Sequence, residues 1–147
     1  MNWILKKFDD LSSNELYALM QLRNEVFVVE QNCVYQDADN KDQPSYHLIG
    51  WQDDKLIAYT RILPPGVAYT EEPSIGRVVT SPSARGSGIG RELMEKSIEE
   101  LYKLFGKKSI KIGAQLYLLK FYTSLGFQQT SSIYLEDNIE HVEMVRF

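Results

Sequence analysis

Residues 85–90 read Arg85-Gly86-Ser87-Gly88-Ile89-Gly90, and what stands on either side of them decides the fold. Ahead of them, Ser74 to Thr80 carries Ile75, Val78 and Val79 and reads as a strand, ended by Pro82. Behind them, Gly88 to Phe105 places Ile89, Leu93, Met94, Leu101, Leu104 and Phe105 at helical spacing, and Gly106 stops the run. Strand, glycine-rich turn and helix therefore follow one another. Glycines at such a turn let the backbone come close to a ligand, with N–H groups pointing outward. The helix N-terminus adds a partial positive charge, so the place suits a phosphate or pyrophosphate. Arg85 and Arg91 sharpen this, because cations near a helix N-terminus are disfavoured unless an anion offsets them. The plain alternative is a glycine-rich turn that only enters a helix.

Three familiar phosphate or nucleophile motifs fail on these residues. A P-loop needs Lys-Ser/Thr after the last glycine, where the chain has Arg91-Glu92. The dinucleotide fingerprint needs a glycine where Arg91 stands. The nucleophile elbow needs one where Arg85 stands.

Working outward, Trp3 to Phe8 reads as an edge strand. Ser12 and Glu15 form a capping box, and Leu16, Leu19, Met20, Val26 and Phe27 predict a helix from Ser13 to Glu30. Gln31 to Ser45 has no period and reads as a long loop, a kind of segment that is often functional. Tyr46 to Trp51 and Leu56 to Leu63 are strands around the Asp53-Asp54 turn, with Pro64-Pro65-Gly66 closing the second. After the glycine-rich helix come a strand from Ser109 to Ala114 and a short helix from Leu116 to Leu125, stopped by Gly126. Phe127 to Tyr134 and His141 to Phe147 form a terminal hairpin around Glu136-Asp137-Asn138. The order β-α-β-β-β-α-β-α-β-β predicts one three-layer α/β (α+β) domain over residues 1–147. It has a mixed, mostly antiparallel sheet of about six to seven strands and helices on both faces. A doubly wound Rossmann fold needs more strand–helix alternation.

Composition bounds the function. The chain has 147 residues, 16 Lys+Arg against 20 Asp+Glu, a net charge of −4 and one cysteine. A general nucleic-acid binder is usually basic, so that partner is not expected. One cysteine makes no internal disulfide and no Cys zinc site. No run approaches the ~18 apolar residues of a spanning helix, so no membrane partner is expected. Lys6 and Lys7 interrupt the first residues too early for a signal peptide, and the expectation is a cytoplasmic protein.

The spacing Arg85-x-x-Gly88-x-Gly90, after Val78-Val79-Thr80-Ser81-Pro82, resembles the pyrophosphate motif of the GCN5-related N-acetyltransferase (GNAT) superfamily. Gln115, Leu118 and Tyr122-Thr123-Ser124-Leu125-Gly126-Phe127 are similar to its second motif, with Gln115 and Leu118 substituted for the usual Asn and Ala. Closer still is the ElaA-type subfamily. Leu22-Arg23-x-x-Val26-Phe27-Val28-Val29-Glu30-Gln31 resembles it, followed by Cys33, Tyr35, Asp37 and Asp39. So do Ala58-Tyr59-Thr60-Arg61-x-Leu63, Ile75-Gly76-Arg77-Val78-Val79 and Glu136-Asp137-x-Ile139-x-His141. The blocks run in order over nearly the whole chain.

The resemblance implies transfer of an acetyl group from acetyl-CoA to a primary amine by direct attack, with no covalent enzyme intermediate. The acceptor is a polyamine, an amino-acid derivative, or a protein N-terminus or lysine, and a homodimer is one option for the assembly. The backbone of Val78, Val79 and Thr80 would pair with the pantetheine arm, as in strand addition. The N–H groups of Gly86, Ser87, Gly88, Ile89 and Gly90 would hold the pyrophosphate, with Arg85 and Arg91 beside them. Gln115 would reach the pantetheine, although it is one methylene longer than the family's Asn. A backbone N–H near Val79 would stabilise the tetrahedral oxyanion. Tyr122, with a phenol pKa near ~10 against ~8.5 for a thiol, would protonate the departing CoA thiolate. On its own residue pattern, Tyr122 is also an ordinary core tyrosine. Many relatives carry a Glu base where Arg77 stands, which leaves Glu30 and His47 as base candidates beside a water chain. A module that binds acyl-CoA without turnover is the second function.

Other residues give weaker signals. Asp37-x-Asp39-x-x-Asp42 fails as a calcium loop, because Lys41 takes a ligand position and Asp42 that of the required Gly. The three aspartates read as solvated, or as an attractor for a cationic amine. His47 and His141 have no ligand-like spacing, so no metal is expected. Cys33 is either a buried hydrophobe or an exposed thiol. Arg61 and Arg77, on adjacent strands, are expected to pair with Glu side chains rather than with a substrate carboxylate.

Overall fold

A computed structural model describes residues Met1–Phe147. Its core follows from the alternation of side chains along the strands. β1 (Asn2–Lys7), β2 (Tyr46–Gln52), β3 (Lys55–Leu63) and β4 (Ser74–Thr80) pair antiparallel in that order. Leu48, Ala58, Thr60 and Ile62 point to one face. There they meet Leu93, Met94, Ser97 and Leu101 of α2 (Ile89–Phe105). Buried polar groups on that face are paired, with Thr60 Oγ1 2.7 Å from Ser97 Oγ. Ile49, Tyr59 and Val79 point the other way and pack on Leu19 and Leu22 of α1 (Ser13–Arg23). Helices thus cover both faces, as the sequence order predicts.

A second antiparallel sheet places β8 (Ile139–Arg146) beside β5 (Ile110–Gln115). The other edge of β8 is shared by β6 (Gln128–Gln129) and β7 (Tyr134–Glu136). α3 (Leu119–Ser124) packs Tyr122 beside Phe127. No helix is long and apolar enough to cross a membrane.

The α/β class holds, and four details differ from expectation. The sheet is two four-stranded halves rather than one sheet of six to seven strands. The expected strand from Phe127 to Tyr134 breaks into β6 and β7, and Ser131 Oγ fills the break by accepting the Glu143 N–H at 2.8 Å. The short helix expected from Leu116 to Leu125 opens with a 3-10 turn, Leu116–Leu118, before α3. The helix expected to run to Glu30 is α-helical only to Arg23 and then loosens into a π-turn segment, Asn24–Glu30. Bonds such as Cys33 N–H to Val28 O at 3.0 Å belong to that wider winding. It carries Val26, Phe27, Glu30 and Gln31 to the rim of a large cavity.

Candidate active site between the two sheets

The cavity exists because β4 and β5 part. One backbone hydrogen bond, Lys111 N–H to Pro73 O at 3.1 Å, ties their starts together, and no ladder joins them beyond it. β4 bends away at a bulge. Tyr59 pairs with Val79 and Arg61 with Gly76, so Thr60 alone faces Arg77 and Val78. The bulge sets Arg77 at φ 49°, a left-handed backbone that an arginine rarely adopts. The resulting cleft has a volume of about 1250 Å³.

At one end of the cleft stands the glycine turn. Gly86 and Gly88 have φ of 84° and 80°, where a side chain would be strained. The N–H groups of Gly86, Ser87 and Gly88 make no hydrogen bond within the protein. Gly88 is also the N-cap of α2 and offers no side chain to it, whereas Ser12 and Glu15 close the start of α1 with a complete capping box. The first-turn N–H groups of α2 are therefore left for a ligand. Arg85 and Gly90 line the cleft, while Gly86, Ser87, Gly88, Ile89 and Arg91 lie outside its wall. Arg91 donates to Ser124 Oγ at 2.9 Å and pairs with Glu95 at 3.2 Å. Arg85 donates two hydrogen bonds to Glu30, at 2.7 and 2.9 Å, which raise the Arg85 pKa.

Val78, Val79 and Thr80 line the cleft on one side and Gln115 on the other, its amide held 3.3 Å from that of Gln31. Tyr122 also lines it. The Tyr122 ring lies edge-on between Phe121 and Phe127, and its hydroxyl has no hydrogen-bond partner in the protein. Burial pushes its pKa upward.

The two base candidates take different places. Glu30 sits at the rim with both carboxylate oxygens on Arg85. His47 is fully buried and does not line the cleft. Its Nε2–H donates to the Asp42 carbonyl at 2.9 Å, so Nδ1 accepts from the Tyr59 hydroxyl at 2.7 Å. Burial lowers its pKa, and the ring is a neutral link in the core.

The acidic loop is not solvated. Asp42 is held by Arg23 at 2.7 Å and by Arg61 at 2.9 Å. Asp37 contacts Arg23 and Arg77, each at 2.8 Å, and Asp39 contacts Arg61 at 2.8 Å and Arg77 at 3.3 Å. Arg61 and Arg77 therefore pair with Asp rather than Glu. Burial raises the Asp39 and Asp42 pKa values, but hydrogen bonds and charge from the arginines win and hold both below the ordinary range. Cys33 is buried, its Sγ 3.4 Å from the Asp137 carbonyl. No group of three His, Cys, Asp or Glu side chains is placed to share a metal.

Sequence reasoning named Gln115 but missed Tyr134 and His141, which form one row with it across β7, β8 and β5 on the second-sheet wall of the cleft. The signal was the alternation on β8. Val142 and Met144 are core, so His141 and Glu143 face away from it, which here means into the cleft.

Comparison with known proteins decides the family. The sequence model of the acetyltransferase (GNAT) domain matches residues 9–146. The chain belongs to the GNAT family of acetyltransferases. Within the GNAT family it is of the ElaA type. It is 43% identical over 148 residues to protein ElaA of Escherichia coli, covering 99% of this chain and 96% of that one. The crystal structure of that ElaA superimposes with a TM-score of 0.93 over 100% of both chains at 42% identity. An acyl-CoA N-acyltransferase from Pseudomonas aeruginosa gives 0.94 over 100% of both chains, also at 42% identity. An aminoglycoside 6'-N-acetyltransferase complexed with coenzyme A shares the GNAT fold at a TM-score of 0.71 and 17% identity, over 97% of this chain and 95% of that one. The protein is a GNAT-type acyltransferase.

Proposed function

We propose that the enzyme, one domain over residues 1–147, moves an acetyl group from acetyl-CoA to a primary amine by direct attack with both substrates bound. One observation carries the reading: the cleft between β4 and β5 leads to the uncapped start of α2 with its free N–H groups. An extended arm with amides of its own fits such a cleft as an added strand, against the backbone of Val78, Val79 and Thr80. The N–H groups of Gly86, Ser87, Gly88, Ile89 and Gly90 take the pyrophosphate, Arg85 and Arg91 add charge, and Gln115 reaches the pantetheine. A relative of the same fold that holds coenzyme A supports this choice of cosubstrate.

Acetyl-CoA supplies a thioester carbonyl that an amine can attack. A backbone N–H near Val79, beside the bulge, stabilises the oxyanion that forms. Tyr122, a phenol whose pKa burial raises further, holds its proton at neutral pH, and its unpartnered hydroxyl is free to give that proton to the departing thiolate. A panel of primary amines with thiol detection tests the reading. Amine-dependent thiol release is expected, and acetyl-CoA binding with no release across the panel refutes it.

A further inference from the structure

On the reading of the enzyme as an amine acetyltransferase, we infer that His141 is the base that takes the proton from the acceptor amine, with Glu136 positioning and supporting its imidazole. His141 is 7% exposed and lines the cleft. Its Nδ1 lies 2.8 Å from the Ile139 carbonyl, which can only accept, so Nδ1 carries the hydrogen. Nε2 is thereby left with the lone pair. Glu136 Oε2 stands 3.5 Å from Nε2, on the side where proton uptake places a hydrogen. The ring stacks on Tyr134, with centroids 5.8 Å apart and planes at 25°, which fixes its orientation.

The wall around it is built for this row. His141 pairs in register with Gln115 on one side and with Tyr134 on the other, so the three side chains share a face. Tyr134 reaches across the sheet to Gly113, where a β-carbon would sit 3.0 Å from its hydroxyl, so the glycine makes room for the ring. Other charged or titratable groups facing this wall are Glu143 of β8, which has Lys111 of β5 at 3.5 Å, and Tyr69 beside them. Neither alternative offers such a base, since both oxygens of Glu30 are held by Arg85 and both nitrogens of His47 by core groups.

The protons balance. The acceptor ammonium gives one proton to His141 Nε2, and the freed amine forms a C–N bond to the thioester carbon. The C–S bond breaks, and the thiolate takes a proton from Tyr122. The second proton lost by the nitrogen as it becomes an amide restores Tyr122, and His141 releases its proton to solvent.

The protein has two histidines, so proton NMR of their ring signals reads each one directly. The NMR midpoint of His141 is expected to match the acidic limb of kcat/KM. In Glu136→Gln, an exposed substitution that leaves the core alone, the two midpoints are expected to move together. His141→Gln is expected to lose about a hundredfold in kcat, to bind acetyl-CoA as the wild type does, and to regain activity with added imidazole. Wild-type kcat in His141→Gln, or an acidic limb that ignores Glu136→Gln while the NMR midpoint moves, overturns the assignment. Wild-type enzyme that turns over no amine at all refutes the acetyltransferase reading beneath it instead, and the assignment falls with it.

Discussion

Adding one methyl group at Gly90 should stabilise the free protein and loosen its hold on acetyl-CoA. Gly90 lies in the first turn of α2 with an ordinary backbone, and a β-carbon built there meets no atom within 4 Å. Gly90→Ala therefore brings no strain and no clash. It narrows the unfolded ensemble, which stabilises the fold by about 0.4–1 kcal/mol. Yet Gly90 lines the cleft, and its N–H is one of the first-turn donors that no helix carbonyl can satisfy. The methyl group keeps a phosphate from close approach, and a tenfold weaker Kd corresponds to about 1.4 kcal/mol. At acetyl-CoA near 100 times the wild-type Kd, binding adds about 2.7 kcal/mol to the wild type and about 1.4 kcal/mol to the variant. The order of stability then inverts. Gly90→Ala melts above the wild type alone, by roughly 1–4 °C, and below it with acetyl-CoA. Gly88→Ala is the contrast, because its φ of 80° makes alanine strained by about 1–2 kcal/mol, and it melts lower in both conditions. Thermal melts with and without acetyl-CoA, and calorimetric Kd values, read all of this. Gly90→Ala melting higher by the same margin in both conditions refutes pyrophosphate binding at this turn.

Tyr122→Phe should lower kcat about a hundredfold while leaving the acetyl-CoA Kd and the melting temperature unchanged, since the hydroxyl bonds to nothing in the protein. Steady-state thiol release and a melt check it, and an unchanged kcat removes Tyr122 as the acid. Arg23→Met takes one of two arginine partners from each of Asp37 and Asp42 and leaves the buried network one positive charge short, which should destabilise the protein by about 3–5 kcal/mol in urea titrations. A loss below about 1 kcal/mol means the arginine's charge is not what holds the loop. Acid should act through the same network. Asp39 and Asp42 have folded pKa values below the unfolded value of about 3.9, so their contribution is whole above it and is lost as pH falls through the folded values. His47, held neutral, adds a penalty that grows as pH drops below its unfolded value of about 6.5. The urea midpoint should decline from pH 6 downward and most steeply below about pH 4, and Asp39→Asn should flatten the acid end of that curve.

The parts legible in the sequence are those set by local pattern. β4 occupies Ser74–Thr80 as the β-branched run and Pro82 imply, and α2 starts one residue after Gly88 because the glycine turn ends there. What stayed hidden depends on partners distant along the chain. Asp39 and Arg61 are 22 residues apart, Asp37 and Arg77 40 apart, and no periodicity relates them. The clue was Arg61 in the middle of the apolar run 56–63, since a charge there needs a partner from another element. The break between β6 and β7 was equally invisible, because Ser131 mends it with a side-chain hydrogen bond that imitates the ladder. His141 was weighed in the sequence only as a metal ligand beside His47, and nothing local shows that the polar face of its strand lines a cleft. The β4–β5 gap turns that face inward.

That gap depends on charges far from the glycine turn. An arginine at φ 49° stores strain on the order of 1–3 kcal/mol, and such strain persists only where the surroundings over-determine it. Here Asp37 and Asp39 grip the Arg77 side chain, and both are fixed in turn by Arg23 of α1 and Arg61 of β3. Tyr35 adds its ring 5.7 Å from the Arg77 guanidinium and its hydroxyl 2.8 Å from Asp37. The three aspartates and three arginines cancel in place, so the 31–45 loop has little net charge left to draw a cationic acceptor. Its physical role is to brace the bulge at which β4 leaves β5. On the proposed amine acetyltransferase reading, selection among amines falls to the opposite wall, where Glu136, Glu143, Tyr134 and His141 face the cleft. Loop and wall meet where Cys33 approaches the carbonyl of Asp137, in the turn between β7 and β8, and where Gln31 bonds to Gln115, so the brace and the opposite wall are joined directly.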